Sequence, residues 1–304
     1  MTVEHEQTKH ALDRAPIPGV TVVIPARNAI TTLTAQLQAL AAEPPGLTFS
    51  VVVVDNGSVD GTGELAASFS SERFVIRVVH VDRPGINVAR NAGVSVSDTE
   101  VVLLCDADDE VLPGWVSALA SSVGQGHWAG GVVDYTGLNS ARTRMQWGAP
   151  ERSSPETPVP FYDRTFGCSC GFLRRMWEEV GGFDEALSGI GGDETEFFMR
   201  AYRTGWRQSW APDAVVFYRL RPGARNMCRQ RYRQGRNQVR MDQREGGSLG
   251  FAVPSAGPTV LALVKLALVS PCYLWRAPRR YEWLGAVSRH LGRLRGRVLD
   301  REAN

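Results

Sequence analysis

VVLLCDADDE, from Val101 to Glu110, decides how the chain is read. Val101 to Cys105 have the composition of a buried strand, and three carboxylates, Asp106, Asp108 and Asp109, follow where such a strand would leave the edge of a sheet. Three acids this close repel one another, so the arrangement needs a cation, donor-rich backbone or full hydration. A divalent metal with a phosphorylated ligand answers that need. A solvated acidic loop is the plainer reading of an isolated D-x-D.

Upstream, apolar runs alternate with amphipathic stretches, the pattern of a mostly parallel sheet covered by helices. Strands are expected at Thr21 to Pro25, Ser50 to Asp55 and Phe74 to His80, and helices at Ile30 to Ala42, Glu64 to Phe69 and Asn87 to Val96. Strand ends that carry polar or acidic residues are where ligands bind in open α/β sheets. Asp55 follows four valines and precedes Asn56, Gly57 and Ser58. Its carboxylate could accept N–H groups of a nucleobase, or it could simply open a turn. In PGINVARNAG, Arg90 could reach a base or a diphosphate, or serve as a structural ion-pair partner. The glycine spacing is not G-x-G-x-x-G, which speaks against a dinucleotide oxidoreductase.

Downstream the order loosens. A helix is expected at Trp115 to Val123, a strand at Trp128 to Tyr135, and then a Pro-rich charged loop from Ala149 to Pro160 that reads as a flap or a surface excursion. Helices follow at Phe172 to Val180 and Thr195 to Thr204, with a short strand at Ala214 to Tyr218. A helix from Ala224 to Arg244 carries Arg225, Arg229, Arg233, Arg236, Arg240 and Arg244 at spacings of three or four. Such a stripe is a solvated face or a contact for an anionic membrane or lipid diphosphate. Thr259 to Trp275 is apolar but short and holds Lys265 and Pro271, so it predicts a helix lying in the membrane interface rather than a span. A helix packed on the domain or on a second subunit is the alternative.

VIPARN, VVDNGSVDGT, ARNAG and CDADD, in this order and spacing, resemble the family 2 glycosyltransferases over roughly Val20 to Arg221. The resemblance implies an α/β chain of GT-A fold and inverting transfer of one sugar from a nucleoside diphosphate sugar. It implies that Pro25, Arg27 and Asn28 line the nucleotide pocket, that Asp55 holds the base and Arg90 the donor, and that Asp106 sits on the ribose side. Asp108 would ligate Mg²⁺ or Mn²⁺, which offsets the diphosphate's charge. GGDETEFFMRAYRTGW, from Gly191, matches the family's catalytic segment with the acids exchanged. Glu194 falls in register with the base, and Asp193 is the other candidate. The acids could also merely decorate a helix N-terminus. In GGFDEAL, Asp184 and Glu185 read as surface charges.

Two departures bear on mechanism. Many relatives carry a His after the short strand, where this chain has Tyr218 or Arg219, so dependence on the metal could be weak. Gln230 to Arg233 spells the Q-x-x-R of processive synthases, but Gln234 replaces the following Trp, which implies a non-processive enzyme. The acceptor would be a saccharide, lipid-linked or small-molecule hydroxyl. The alternatives are a catalytically inactive sugar- or lipid-binding relative and a sugar-phosphate nucleotidyltransferase. The latter would want a Gly-rich triphosphate loop, and ARNAITT has no glycine.

The rest of the composition agrees. The 304 residues are 43% hydrophobic, enough to bury a full core, and the formal charge of +2 gives no field for nucleic acid. Five scattered cysteines without a C-x-x-C pair argue against a disulfide framework or a zinc site and fit a cytoplasmic protein, peripheral at most on the membrane's inner face. The expected division is a lead-in at 1–19, a catalytic domain at 20–244, a linker at 245–258 and a basic, apolar helical appendage at 259–304. The polar start lacks the apolar core of a signal peptide.

Overall fold

The apolar runs become strands because both faces of the sheet they form are covered. The computed structural model describes residues 17–124, 126–153, 158–159, 162–163, 165–187, 193–244 and 253–301. Its first half is β1 (Ile17–Ala26), α1 (Leu33–Ala41), β2 (Phe49–Asp55), α2 (Thr62–Ser68), β3 (Ile76–His80), α3 (Ile86–Ser95) and β4 (Thr99–Leu104). β1 pairs in parallel with β2 and with β4, and β2 with β3. Along β1, Val22 and Ile24 pack with Leu33, Leu37 and Leu40 of α1, while Val23 turns to the other face with Val52, Val54, Ala89 and Leu104. Apolar side chains on both faces are why these strands read as unbroken apolar runs.

The second half continues with β5 (Glu110–Val111), α4 (Trp115–Ser122), β6 (His127–Asp134), α5 (Ala141–Trp147), β7 (Pro158–Val159), β8 (Tyr162–Asp163), β9 (Cys170–Leu173), α6 (Arg174–Glu179), α7 (Asp193–Arg203) and β10 (Arg207–Phe217). The eight-stranded sheet has the order β3-β2-β1-β4-β9-β6-β10-β5. β9 runs antiparallel to both β4 and β6, β6 pairs in parallel with β10, and β5 closes the edge antiparallel to β10. Strand order reverses between β1 and β4, so the crevice beyond their C-terminal ends is the place for a ligand.

Several expectations need correction. Residues 170–173 form a strand, and Phe172 belongs to it rather than to a helix, which begins only at Arg174. β10 starts at Arg207, seven residues before the expected strand, and carries an irregularity between Ala211 and Val215. α5 had no counterpart in the sequence reading. β1 begins at Ile17, so it takes in the last three residues of the expected lead-in. The remainder of that lead-in, residues 245–252 of the expected linker and part of the Ala149 to Pro160 loop lie outside the described residues.

Three helices close the chain: α8 (Ala224–Arg244), α9 (Ala256–Leu274) and α10 (Ala277–Arg301). Met227 of α8 and Tyr281 of α10 pack with Trp147 and Leu220, which joins this layer to the second half of the sheet domain.

Candidate active site

Three strand ends supply the first wall. Register places Ala26 beside Asp55 and Asp55 beside His80, so the turns after β1, β2 and β3 emerge side by side. Pro25 is buried in β1, and Arg27 and Asn28 are exposed just beyond it. Asn28 has a φ of 51°, unusual for a residue with a side chain. Its Oδ1 accepts from the Val59 N–H at 3.0 Å and its own N–H donates to Ser58 Oγ at 3.0 Å, which binds the first turn to the NGSVDG loop. Asp55 is buried: Oδ1 accepts from the Ser58 N–H at 3.0 Å, and Oδ2 lies 3.3 Å from His80 Nδ1.

The acidic turn after β4 divides its carboxylates. Asp106, Asp109 and Cys168 bring one ligand atom each within 4.8 Å of one another. Asp109 is buried, and its Oδ2 has no hydrogen-bond partner. Loss of hydration and the neighbouring charges of Asp106 and Asp108 push its carboxyl well above the usual range. Asp108 is also raised, first by burial, and Arg221 and Arg219 offset part of the shift. It faces a cleft of about 240 Å³ lined also by Asn139, Ser140, Thr143, Arg219 and Arg221.

Arg219 ties this turn down. Its N–H donates to Asp109 Oδ1 at 2.7 Å, its Nε to the Asp108 carbonyl at 2.8 Å, and its Nη2 to Glu110 Oε1 at 3.2 Å. Arg219, one of the two residues expected where many relatives carry a histidine, thus places a permanent cation on this turn. Asp109 is the buried centre of the cluster.

The donor set suits a hard cation in part. Two carboxylates with one orphaned oxygen fit Mg²⁺ or Mn²⁺. Cys168 fits poorly, because burial pushes its thiol well above the usual range and holds it neutral. Cys168 was overlooked in the sequence because it lies 59 residues from Asp109 and no metal-ligand spacing marks it.

Glu194 is half-buried in the first turn of α7. Burial is what chiefly raises the thiols of Cys168 and Cys170, with the charge of Glu194 a smaller contribution in the same direction. Asp193 opens α7, and its side chain lies outside the described residues. Arg90 is buried with its Cζ 5.6 Å from the Phe183 ring centroid, and its Nη1 donates to Asn87 Oδ1 at 3.4 Å. Gly167 makes room for it, since a Cβ there would collide with the guanidinium. Arg90 thus lies beneath the site, where its charge lowers the Cys170 thiol against the effect of burial. Glu185, read as a surface charge, pairs with Arg83 and accepts from Asn91 Nδ2 at 3.0 Å.

Comparison with known proteins identifies the family and the fold. Residues 21–180 match the profile of glycosyl transferase family 2, and residues 101–278 match that of glycosyl transferase family group 2. The chain is 25% identical over 229 residues to glycosyltransferase AglE of Haloferax volcanii, covering 74% of each. It is 29% identical over 231 residues to the succinoglycan biosynthesis protein ExoO of Rhizobium meliloti, covering 70% of this chain and 64% of that one. Among solved structures, the mannosyltransferase PcManGT of Pyrobaculum calidifontis, in complex with GDP-Man and Mn²⁺, superposes with a TM-score of 0.61. That match is 18% identical and covers 97% of this chain and 93% of the other. The fold is GT-A, as the order of motifs implied.

Proposed function

Because the chain belongs to glycosyl transferase family 2, a membership its match over residues 21–180 establishes, we propose an inverting, non-processive transfer of one sugar. The donor is a nucleoside diphosphate sugar and the acceptor a hydroxyl of a saccharide, lipid-linked or small molecule, in the cytoplasm or on the membrane's inner face. One observation carries the reading. The ends of β1, β2 and β4 converge at the switch point, with Asp55 on one side and Asp106 and Asp109 on the other.

The division of labour follows from that layout. Asp55 accepts N–H groups of the base, in a pocket edged by Pro25, Arg27 and Asn28, and Asp106 takes the ribose side. Glu194 removes the proton of the acceptor hydroxyl as its oxygen attacks the anomeric carbon. The bond from that carbon to the diphosphate breaks on the opposite face, and the pair of electrons leaves with the nucleotide, which inverts the centre. Mg²⁺ or Mn²⁺, held by Asp108 as the motif implied and by the neighbouring Asp109, would neutralise charge on the departing diphosphate. Arg219 and Arg221 add permanent positive charge beside Asp108. The GDP-Man and Mn²⁺ of the Pyrobaculum enzyme support a donor and metal of these classes.

A thermal-shift panel of nucleotide sugars, with and without Mn²⁺, tests the reading. At least one donor should raise the melting temperature, since only a ligand that binds the folded state does so. No shift from any donor in either condition would argue against it.

A further inference from the structure

α9 holds one charge, Lys265, in 19 residues, and apolar side chains occupy every face of it. Val260, Leu261, Val264, Leu268 and Val269 are exposed, Leu268 to 76%, and Trp275 just beyond the helix is 88% exposed. Its 18-residue apolar window, Ala256–Tyr273, is only 6% buried. A helix apolar all round belongs in a core or in lipid. At 1.5 Å per residue α9 is about 28 Å long, close to the thickness of a hydrocarbon core of about 30 Å. Length and composition alone therefore permit a span.

α10 argues against one. It lies along α9, where Trp283 Nε1 donates to the Leu266 carbonyl at 2.8 Å and Arg297 reaches the Pro254 carbonyl. α10 is in turn held on α8 by backbone contact. A side chain added at Gly235 or Gly292 would collide with the carbonyls of Arg289 and Tyr232. Arg293 donates to Gln238 Oε1 of α8 at 2.9 Å. Crossing the bilayer would carry Arg289, Arg293 and Arg297 into hydrocarbon beside α9, which charged side chains strongly resist.

Lying flat has no such cost. Residues 253–298 contain eight cations and a single acid, Glu282. Lys265, Arg276, Arg279, Arg280 and Arg295 are exposed, three of them beside Trp275 at the turn between α9 and α10. Exposed arginines with a tryptophan at the end of an apolar helix suit the level of lipid headgroups.

We propose that α9 beds lengthwise in one leaflet of an anionic membrane, with the arginines of the α9–α10 turn on lipid phosphates. The same docking brings the cleft lined by Asp108, Arg219 and Arg221 towards the lipid. Tyr281, in the first turns of α10, packs with Leu220, which lines that cleft with Asp108, and Gln146 Nε2 donates to its hydroxyl at 3.4 Å.

The test uses the full chain without donor or acceptor, so its outcome is independent of the transferase reading. Flotation is measured with phosphatidylcholine vesicles and with vesicles containing about one-third phosphatidylglycerol, and nitroxides at Leu261→Cys and Leu268→Cys report depth in a Cys272→Ser background. The proposal expects flotation with the anionic vesicles, reduced at least tenfold by Leu268→Asp and by Arg276→Gln/Arg279→Gln/Arg280→Gln, with unchanged melting temperatures. It also expects both nitroxides at one depth, roughly 5–10 Å below the phosphates. Depths differing by about 10 Å, the rise of seven residues, would show a span and overturn it. So would absence of flotation, or a lipid-free dimer that Leu268→Asp dissociates, since α9 would then cover a second copy.

Discussion

The strands on the two sides of the β1–β4 crevice are built differently. On the side proposed to hold the donor, β1, β2 and β3 are parallel, β1 and β2 bury valine and isoleucine on both faces, and the residue type changes sharply where each strand ends. On the other side, β9 is four residues of Cys, Gly, Phe and Leu wedged antiparallel between β4 and β6. The first set is specified by local pattern and the second by tertiary fit.

The strongest way to sharpen this contrast is to remove the base. Glu194→Gln should lower kcat about 10²–10⁴-fold, the usual contribution of general base catalysis, while leaving the KM for the donor unchanged. A variant that lost donor binding instead would move Glu194 to the other side of the division.

Gly171→Val strikes the tertiary fit itself. A Cβ there meets Leu103 Cδ2 and Val123 Cγ2, so overpacking should destabilise the protein by about 1–3 kcal/mol, read by urea melts. Little change would mean that β9 is not held as closely as described.

The acidic turn joins the two sides and gives a pH signature. The Asp109 carboxyl is raised, so the stability it contributes is present at low pH and is lost as pH rises through its folded value. A divalent cation binds the ionised form and offsets that loss. The rise in melting temperature caused by Mn²⁺ should therefore be larger at pH 8 than at pH 5, and Asp109→Asn should abolish the difference. An equal Mn²⁺ shift at both pH values would contradict this.

The smallest effect belongs to the donor side. Asn28→Ala keeps a positive φ without the bond to the Val59 N–H, so it should cost about 1–2 kcal/mol and weaken donor binding modestly. Thermal melts with and without donor separate the two effects.

The same contrast explains what could be read from sequence. Val51 to Val54 and Val101 to Leu104 announce buried strands because both faces are apolar, and Asp55 and Asp106 stand out as the first polar residues after them. β9 went unread because Cys170 and Gly171 carry little strand preference and are selected by how closely β4 and β6 approach. Glu194 is singled out as the base by order of motifs alone. Asp109 and Arg219 were undervalued, since neither the burial of the one nor the three bonds of the other is visible without the turn after β10. Arg90 drew attention for its charge, yet its place beneath the site depends on Gly167, 77 residues away.

The most direct test is release of nucleoside diphosphate from a panel of sugar nucleotides, with saturating Mn²⁺, by the wild type and by Asp106→Asn. The wild type should release nucleotide from at least one donor, and the variant should release none from it while melting at the same temperature without ligand. Equal rates from both proteins, or no release from any donor by a fully folded wild type, would contradict the account.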